Sequence, residues 1–244
     1  MDFFLTLAFL FFIGSVAGWV VELLFRRFFS SANPDRKWIN PGFCSGPYLP
    51  LYGVGLCLMY VIALLEGTGP FQSPVLGKIL LCLIMALCMT ALEFAAGSLA
   101  LKIANVRLWD YTGQWGNVRG VICPKFSLVW AAFGALYTFF VHRHVKSAVA
   151  WLFGHLSFSF FIGLFFGVFL VDLAQSAQLV SKLKKFAEDY DVIVRYEALK
   201  AIIRAKRVEA RLKYYFFRPF FTERPLIEHL LELKESFERR IKRR

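Results

Sequence analysis

Five apolar runs, each about the length needed to cross a bilayer, dominate the first 172 of 244 residues. They lie at about 3–25, 48–65, 79–101, 121–141 and 148–171. A transmembrane helix takes about 20 consecutive apolar residues, whereas barrel strands are about half as long and alternate in polarity. The runs are continuously apolar, so they predict helices. Charge is distributed to match. Residues 1–172 hold 11 Lys/Arg and 7 Asp/Glu, while residues 173–244 hold 18 and 10. This division excludes a soluble one-core enzyme, a disordered chain and a disulfide-stapled secreted domain. The expected fold is all-α: a membrane bundle of about five helices over 1–172, followed by a basic cytoplasmic helical tail over 173–244.

The first run has only Asp2 before it and ends at Arg26 and Arg27. A cleavable signal would begin with basic residues and end in a small-residue cleavage site, so this run reads as an uncleaved anchor. Counting Lys and Arg by segment gives 26 on one face and only Lys78, Arg143 and Lys146 on the other. The positive-inside rule then predicts the N-terminus outside and the C-terminus in the cytoplasm. The turn His142-Arg143-His144-Val145-Lys146 is expected between the fourth and fifth spans on the outer face.

The two inner loops share the spacing W-x-N-(x)6-P: Trp38, Asn40 and Pro47, then Trp115, Asn117 and Pro124. Each loop follows a span carrying a glutamate, Glu22 and then Glu93, and each leads into an apolar helix with proline near its start, where a missing N–H does little harm. The pattern suggests a parallel repeat of two helix pairs, an arrangement that occurs in transporters with sites near the repeat interface.

Ionisable residues inside spans cost about 2.5–3.5 kcal/mol at mid-helix and normally find partners or line a path. Glu22 has Arg26 at i+4, so a headgroup ion pair competes with a functional role. Glu93 has no cation near it in sequence. It must be neutral or paired across helices, with Arg119 one candidate, and either a functional carboxylate or a bundle-holding hydrogen bond fits. Asp110 and Arg119 could pair with each other. Tyr52, Asn40 and Asn117 complete the candidate polar pocket. Gly42, Gly46, Pro47, Pro50 and Gly53 break the entrance to the second span, as in broken helices that leave backbone groups free along a path. Trp19, Trp38, Trp109, Tyr111 and Trp115 suit the membrane interface. His155 and Asp172 read as structural. The five cysteines form no C-x-x-C pair and read as small apolar fillers, so neither a metal nor another cofactor is expected.

The runs Gly18-Trp19-Val20-Val21-Glu22, Arg36 to Gly53, Ala91-Leu92-Glu93-Phe94, Leu108-Trp109-Asp110-Tyr111 to Gly120, and Pro124 to Gly134 together resemble the ABC-transporter type IV (CmpB-like) family of bacterial multi-pass membrane proteins. The resemblance covers roughly residues 10–140. It implies a permease-like protein of the bacterial plasma membrane, and its motif positions include Glu22, Asn40, Glu93, Asp110, Asn117 and Arg119. The sequence carries no G-x-x-x-x-G-K-[ST] loop, so ATP-driven transport would need a separate ATP-binding subunit. A membrane-embedded enzyme on a lipid-linked substrate is the second reading, with Glu93 or Asp110 as base and Arg119 on a phosphate; a membrane scaffold or assembly factor is the third. No catalytic triad or zinc-protease motif is visible.

In the tail, Leu179, Leu183, Phe186, Tyr190 and Val194 recur near helical spacing, predicting a long helix over 173–218 and a second over about 224–244. Such basic amphipathic helices suit an anionic lipid surface or a protein partner. Nothing resembles a nucleic-acid-reading module.

Overall fold

A computed structural model describes residues 2–30, 33, 36–42, 44–104, 106–189 and 194–195. Among the described residues six α-helices carry the fold: α1 (Phe3–Phe28), α2 (Pro50–Ala63), α3 (Leu76–Ala104), α4 (Pro124–Leu136), α5 (His142–Gly154) and α6 (Ser159–Asp189). Among the described residues, four helical stretches are long and apolar enough to cross a membrane: Phe3–Phe28, Leu76–Lys102, Pro124–Gly154 and Leu156–Ala177. The outward side chains agree with a lipid environment. Phe4 is 82% exposed, Leu128 72% and Leu87 71%, and large apolar patches of this kind are rare on soluble monomers.

Capping begins at the first residues. The Asp2 carboxylate accepts from the amides of Phe4 and Leu5 at 3.0 and 3.2 Å, satisfying two of the orphan donors of a helix N-terminus. Arg26 and Arg27 sit in the last turn of α1, where cations complement the helix dipole. Pro50 and Pro124 occupy the first turns of α2 and α4. Pro47 of the W-x-N-(x)6-P pattern therefore lies before α2 rather than opening it.

Helices α1 and α2 form one packed pair, and α3 and α4 another. In lipid, helices associate through close packing of small residues. A Cβ on Gly14 or Gly18 of α1 would run into Leu56 or Tyr52 of α2, and one on Gly53 of α2 would run into Ser15 and Phe11. One internal face runs down α3 at four-residue spacing: Leu81, Met85, Met89 and Glu93 are 1%, 0%, 1% and 4% exposed. A second cluster of aromatic rings joins α1 to α6, with Phe11 stacked on Phe166 at 5.5 Å and the Phe12 and Phe165 rings tilted against each other at 4.7 Å.

Three boundaries differ from the sequence expectation. The second apolar helix spans 14 residues, about 21 Å at 1.5 Å per residue and short of a roughly 30 Å core. The irregular chain before it is folded into the protein instead: Cys44 is fully buried and Tyr48 is 4% exposed. The expected turn at His142–Lys146 is also absent. The fourth helix continues through a π-turn at Tyr137–Val141 into α5 and stops at Gly154. Charge alone does not end a helix, and residues 142–146 hold neither Gly nor Pro. The fifth span accordingly begins near Leu156, not at 148.

Helix α6 passes through residue 172, where the composition changes, and runs on to Asp189. Val194–Arg195 is extended and pairs in parallel with Val106–Arg107, so a single helix over 173–218 is interrupted there. Val194 is β-branched and favours extended backbone. The second tail helix lies outside the described residues.

Candidate functional site

Both glutamates lie towards the ends of α1 and α3 from which the two Trp–Asn turns depart, and each reaches a neighbouring helix. Glu22 Oε1 pairs with Arg26 Nε at 2.9 Å, so the i+4 pair is real. Its other oxygen accepts from the Tyr52 hydroxyl of α2 at 3.0 Å. Glu93 Oε1 accepts from the Tyr111 hydroxyl and Oε2 from Trp130 Nε1 of α4, each at 3.0 Å. Tyr52 and Trp130 meet with ring centroids 5.8 Å apart. A continuous line of side chains, Arg26–Glu22–Tyr52–Trp130–Glu93–Tyr111, thus crosses from the first helix pair to the second.

Among the described residues no cation bonds to Glu93; its partners are a phenol and an indole, not Arg119. The donor chemistry matters. Indole N–H can only donate, whereas a phenol can donate or accept. Trp130 therefore holds Oε2 as an acceptor in either protonation state. If Glu93 takes up a proton, it does so on Oε1, where the Tyr111 hydroxyl can turn round and accept. Burial and the adjacent Glu93 carboxylate hold the Tyr111 phenol well above its ordinary pKa, so Tyr111 keeps its proton. Its ring is fixed by stacking on Phe126 at 4.4 Å with an 11° tilt.

The second turn is built to deliver Tyr111 to Glu93. Trp109 Nε1 donates to the Val121 carbonyl at 2.7 Å, and the Tyr111 amide donates to the Gly120 carbonyl at 2.9 Å. Asp110 pairs with Arg107 at 3.1 Å, not with Arg119, and accepts from the Thr112 hydroxyl at 2.7 Å. Asn117 donates to the carbonyls of Thr112 and Gln114 and accepts from the Gly120 amide. Gly120 has φ +68°, and a Cβ there would strike Arg107. Arg119 and Trp115 are exposed on the outside of the turn. Arg119 also takes a left-handed φ of 55°, an uncommon conformation for a residue with a Cβ.

The first turn is organised around asparagine as well. Trp19 Nε1 of α1 donates to Asn40 Oδ1 at 2.9 Å, the Gly42 amide shares that oxygen, and Asn40 Nδ2 donates to the carbonyls of Cys44 and Ser45. Trp38 stays exposed, edge-on to Phe28 and beneath the Arg27 guanidinium at 5.2 Å. The buried stretch then hangs from Asp172 of α6. Its carboxylate accepts from the amides of Ser45 and Gly46 at 3.0 and 2.8 Å, from the Tyr48 hydroxyl, and from Ser176 Oγ at 3.3 Å. Burial and the Asp172 carboxylate raise the Tyr48 phenol pKa. An open, mostly apolar groove of about 700 Å³ runs beside this anchor, between the turn and the α6 glycines Gly163 and Gly167. Irregular backbone within a membrane bundle is tolerated only where its polar groups are paired; Asn40, Asp172 and the Ser15 carbonyl, which accepts from Leu49, supply the pairing. Pro47, Pro50 and Gly53 shape this entrance.

The family described as Putative ABC-transporter type IV matches residues 9–177. The chain belongs to this family. The match extends beyond the roughly 10–140 suggested by the turns and takes in the α6 stretch that anchors the first of them. No curated protein and no solved structure matches. Family membership and the apolar helices together make this a multi-pass, transporter-like membrane protein.

Of the residues singled out in sequence, Glu22, Tyr52, Glu93 and Tyr111 converge. Asn40, Asp110 and Asn117 shape the turns, and Arg119 stands apart. Sequence reasoning missed Trp130, the second partner of Glu93; Asp172, read as structural, anchors the first turn. Asn33 was missed too: its amide donates to the carbonyls of Arg26 and Lys37 at 3.0 and 2.8 Å, tying off the end of α1. A tryptophan in mid-span at the depth of a buried acid was the available signal for Trp130.

Proposed function

We propose that the protein is a permease component or small transporter whose substrate or coupling-ion path passes the paired Glu22–Tyr52 and Glu93–Trp130–Tyr111 groups. The observation that carries this reading is Glu93: 4% exposed, inside the bundle, bonded on both oxygens and touched by no cation among the described residues. A buried acid with adaptable partners can change protonation or release a bonded turn without unfolding the helices around it. The Trp–Asn turns face the cytoplasm of a bacterial cell, as the Lys/Arg distribution supports, with the N-terminus outside. A separate ATP-binding subunit docks on this side, where Trp115 is 87% exposed; the basic tail binds anionic lipid or a protein partner. The alternative use of Arg119 as a phosphate holder for a lipid-linked reaction is weakened by its exposure on the turn, with neither carboxylate bonded to it among the described residues.

The test is Glu93→Gln in the native membrane. The variant keeps an amide that can still accept from Trp130, so abundance and insertion should hold. Solute accumulation in everted vesicles, profiled by mass spectrometry against a deletion strain, should fall to the deletion level. Unchanged accumulation would return Glu93 to a packing role.

A further inference from the structure

The internal face of α3 does not end at the glutamate. Away from the turns, Met89 lies over Gly55 of α2, and Met85 lies against Gly134 of α4, its sulfur 3.5 Å from the Thr138 hydroxyl, which donates to the Gly134 carbonyl at 2.9 Å. Both methionines are sealed from solvent. On their far side a second polar group is buried. His142 is 6% exposed, its Nδ1 lies 3.1 Å from the Tyr137 hydroxyl, and the Tyr60 ring of α2 is 6.2 Å from the imidazole. The π-turn at Tyr137–Val141 bears on this placement. One extra residue in a turn rotates the helix beyond it by roughly 100°. Past the π-turn, His142, Val145, Val149 and Leu152 all face the core.

We propose that His142, with Tyr137 and Tyr60, is a second proton-binding site at the end of the bundle opposite Glu93, and that Met85 and Met89 form the dry barrier between the two. This rests on reading Glu93 as part of a transport path. The partner chemistry matches at both sites. Each titratable group is bonded by a tyrosine hydroxyl, which can reverse its donor and acceptor roles when a proton arrives. Among the described residues the ionisable neighbours of His142 are Tyr137 just before it, Lys146 one turn on, Tyr60 on α2 and, at longer range, Glu66 beyond α2. Cys57 of α2 interacts with Tyr137. Methionine is flexible and fills irregular gaps, so the barrier can open by side-chain rotation without separating helices.

The experiment uses the full chain in liposomes with a trapped pH-sensitive dye under a potassium diffusion potential. The double variant M85A/M89A should raise proton leak by about tenfold or more, a small change on the scale of a transport barrier. Adding His142→Gln or Glu93→Gln should return the leak to the wild-type level. A leak indifferent to His142, or a folded double variant without a leak, overturns the proposal. If the double variant does not fold, imidazole nitrogen NMR of the wild-type chain decides, with His142 assigned by its loss in His142→Gln. A resonance that titrates supports the site, and one that stays fixed while the protein remains folded rejects it. A His142-dependent leak in a protein that moves no solute would keep both proton sites and remove the transport reading.

Discussion

Trp130 on α4 donates its indole N–H to Glu93 on α3 across a fully buried contact of 3.0 Å. It holds one carboxylate oxygen permanently as an acceptor and leaves the other to the Tyr111 hydroxyl, so the two oxygens are not equivalent.

Trp130→Phe should therefore act through Glu93. It preserves much of the ring packing on Tyr52 and Phe133 but strands one oxygen. A buried acceptor without its partner costs about 1–3 kcal/mol. The loss should be measurable as a lower melting temperature in detergent. In a Glu93→Leu background the same substitution should cost much less, because no acceptor remains to be stranded. Equal costs in both backgrounds would show that the indole matters only for packing.

Glycines of identical type should diverge sharply. Gly18→Ala places a methyl into the Tyr52 side chain, forcing α1 from α2 and pulling the phenol from Glu22; overpacking of this sort costs about 1–3 kcal/mol. Gly163→Ala and Gly167→Ala on α6 meet nothing within 4 Å and should be tolerated, gaining slightly from helix propensity. Melting temperatures of the three variants check this, and comparable losses at all three would mean the open face of α6 is occupied.

The division between what could and could not be read from the chain follows from range. The apolar runs and the acid in each hairpin are local patterns, so helices α1 and α3 and the presence of an acid, Glu22 and Glu93, in each are visible in sequence. The bonds of Asp172 to Ser45 and Gly46 span 127 and 126 residues, and no local pattern announces them. The misplaced turn at His142–Lys146 has a different cause. Charge is no stop signal for a helix, and the backbone chemistry of these residues permits it to run on to Gly154.

Asp172→Ala should free the first turn while leaving the helices in place. It removes the acceptor shared by two amides, the Tyr48 hydroxyl and Ser176, and hydrogen bonds to a charged group contribute about 1.5–3 kcal/mol each. Proteolysis within residues 36–49 should speed up before any loss of helical circular dichroism. Asp172→Asn keeps one acceptor oxygen and should fall between Ala and wild type. A turn no more accessible in Asp172→Ala than in wild type would show that Asn40 and the Ser15 carbonyl hold it without Asp172.

Gly120→Ala tests whether the second turn exists to deliver Tyr111. The residue needs φ +68° and has no room for a Cβ beside Arg107. A non-glycine residue there pays for left-handed backbone with about 1–2 kcal/mol, before any clash. The Tyr111 amide bonds to this residue's carbonyl, so displacement should reach Glu93 through the phenol. Tyr111→Phe is the control: it removes only the hydroxyl and retains the stack on Phe126. If the turn serves the acid, both variants should lower solute accumulation to a similar degree, while only Gly120→Ala lowers the melting temperature markedly. Loss in Gly120→Ala with full accumulation in Tyr111→Phe would assign the turn to another task, such as holding a partner subunit.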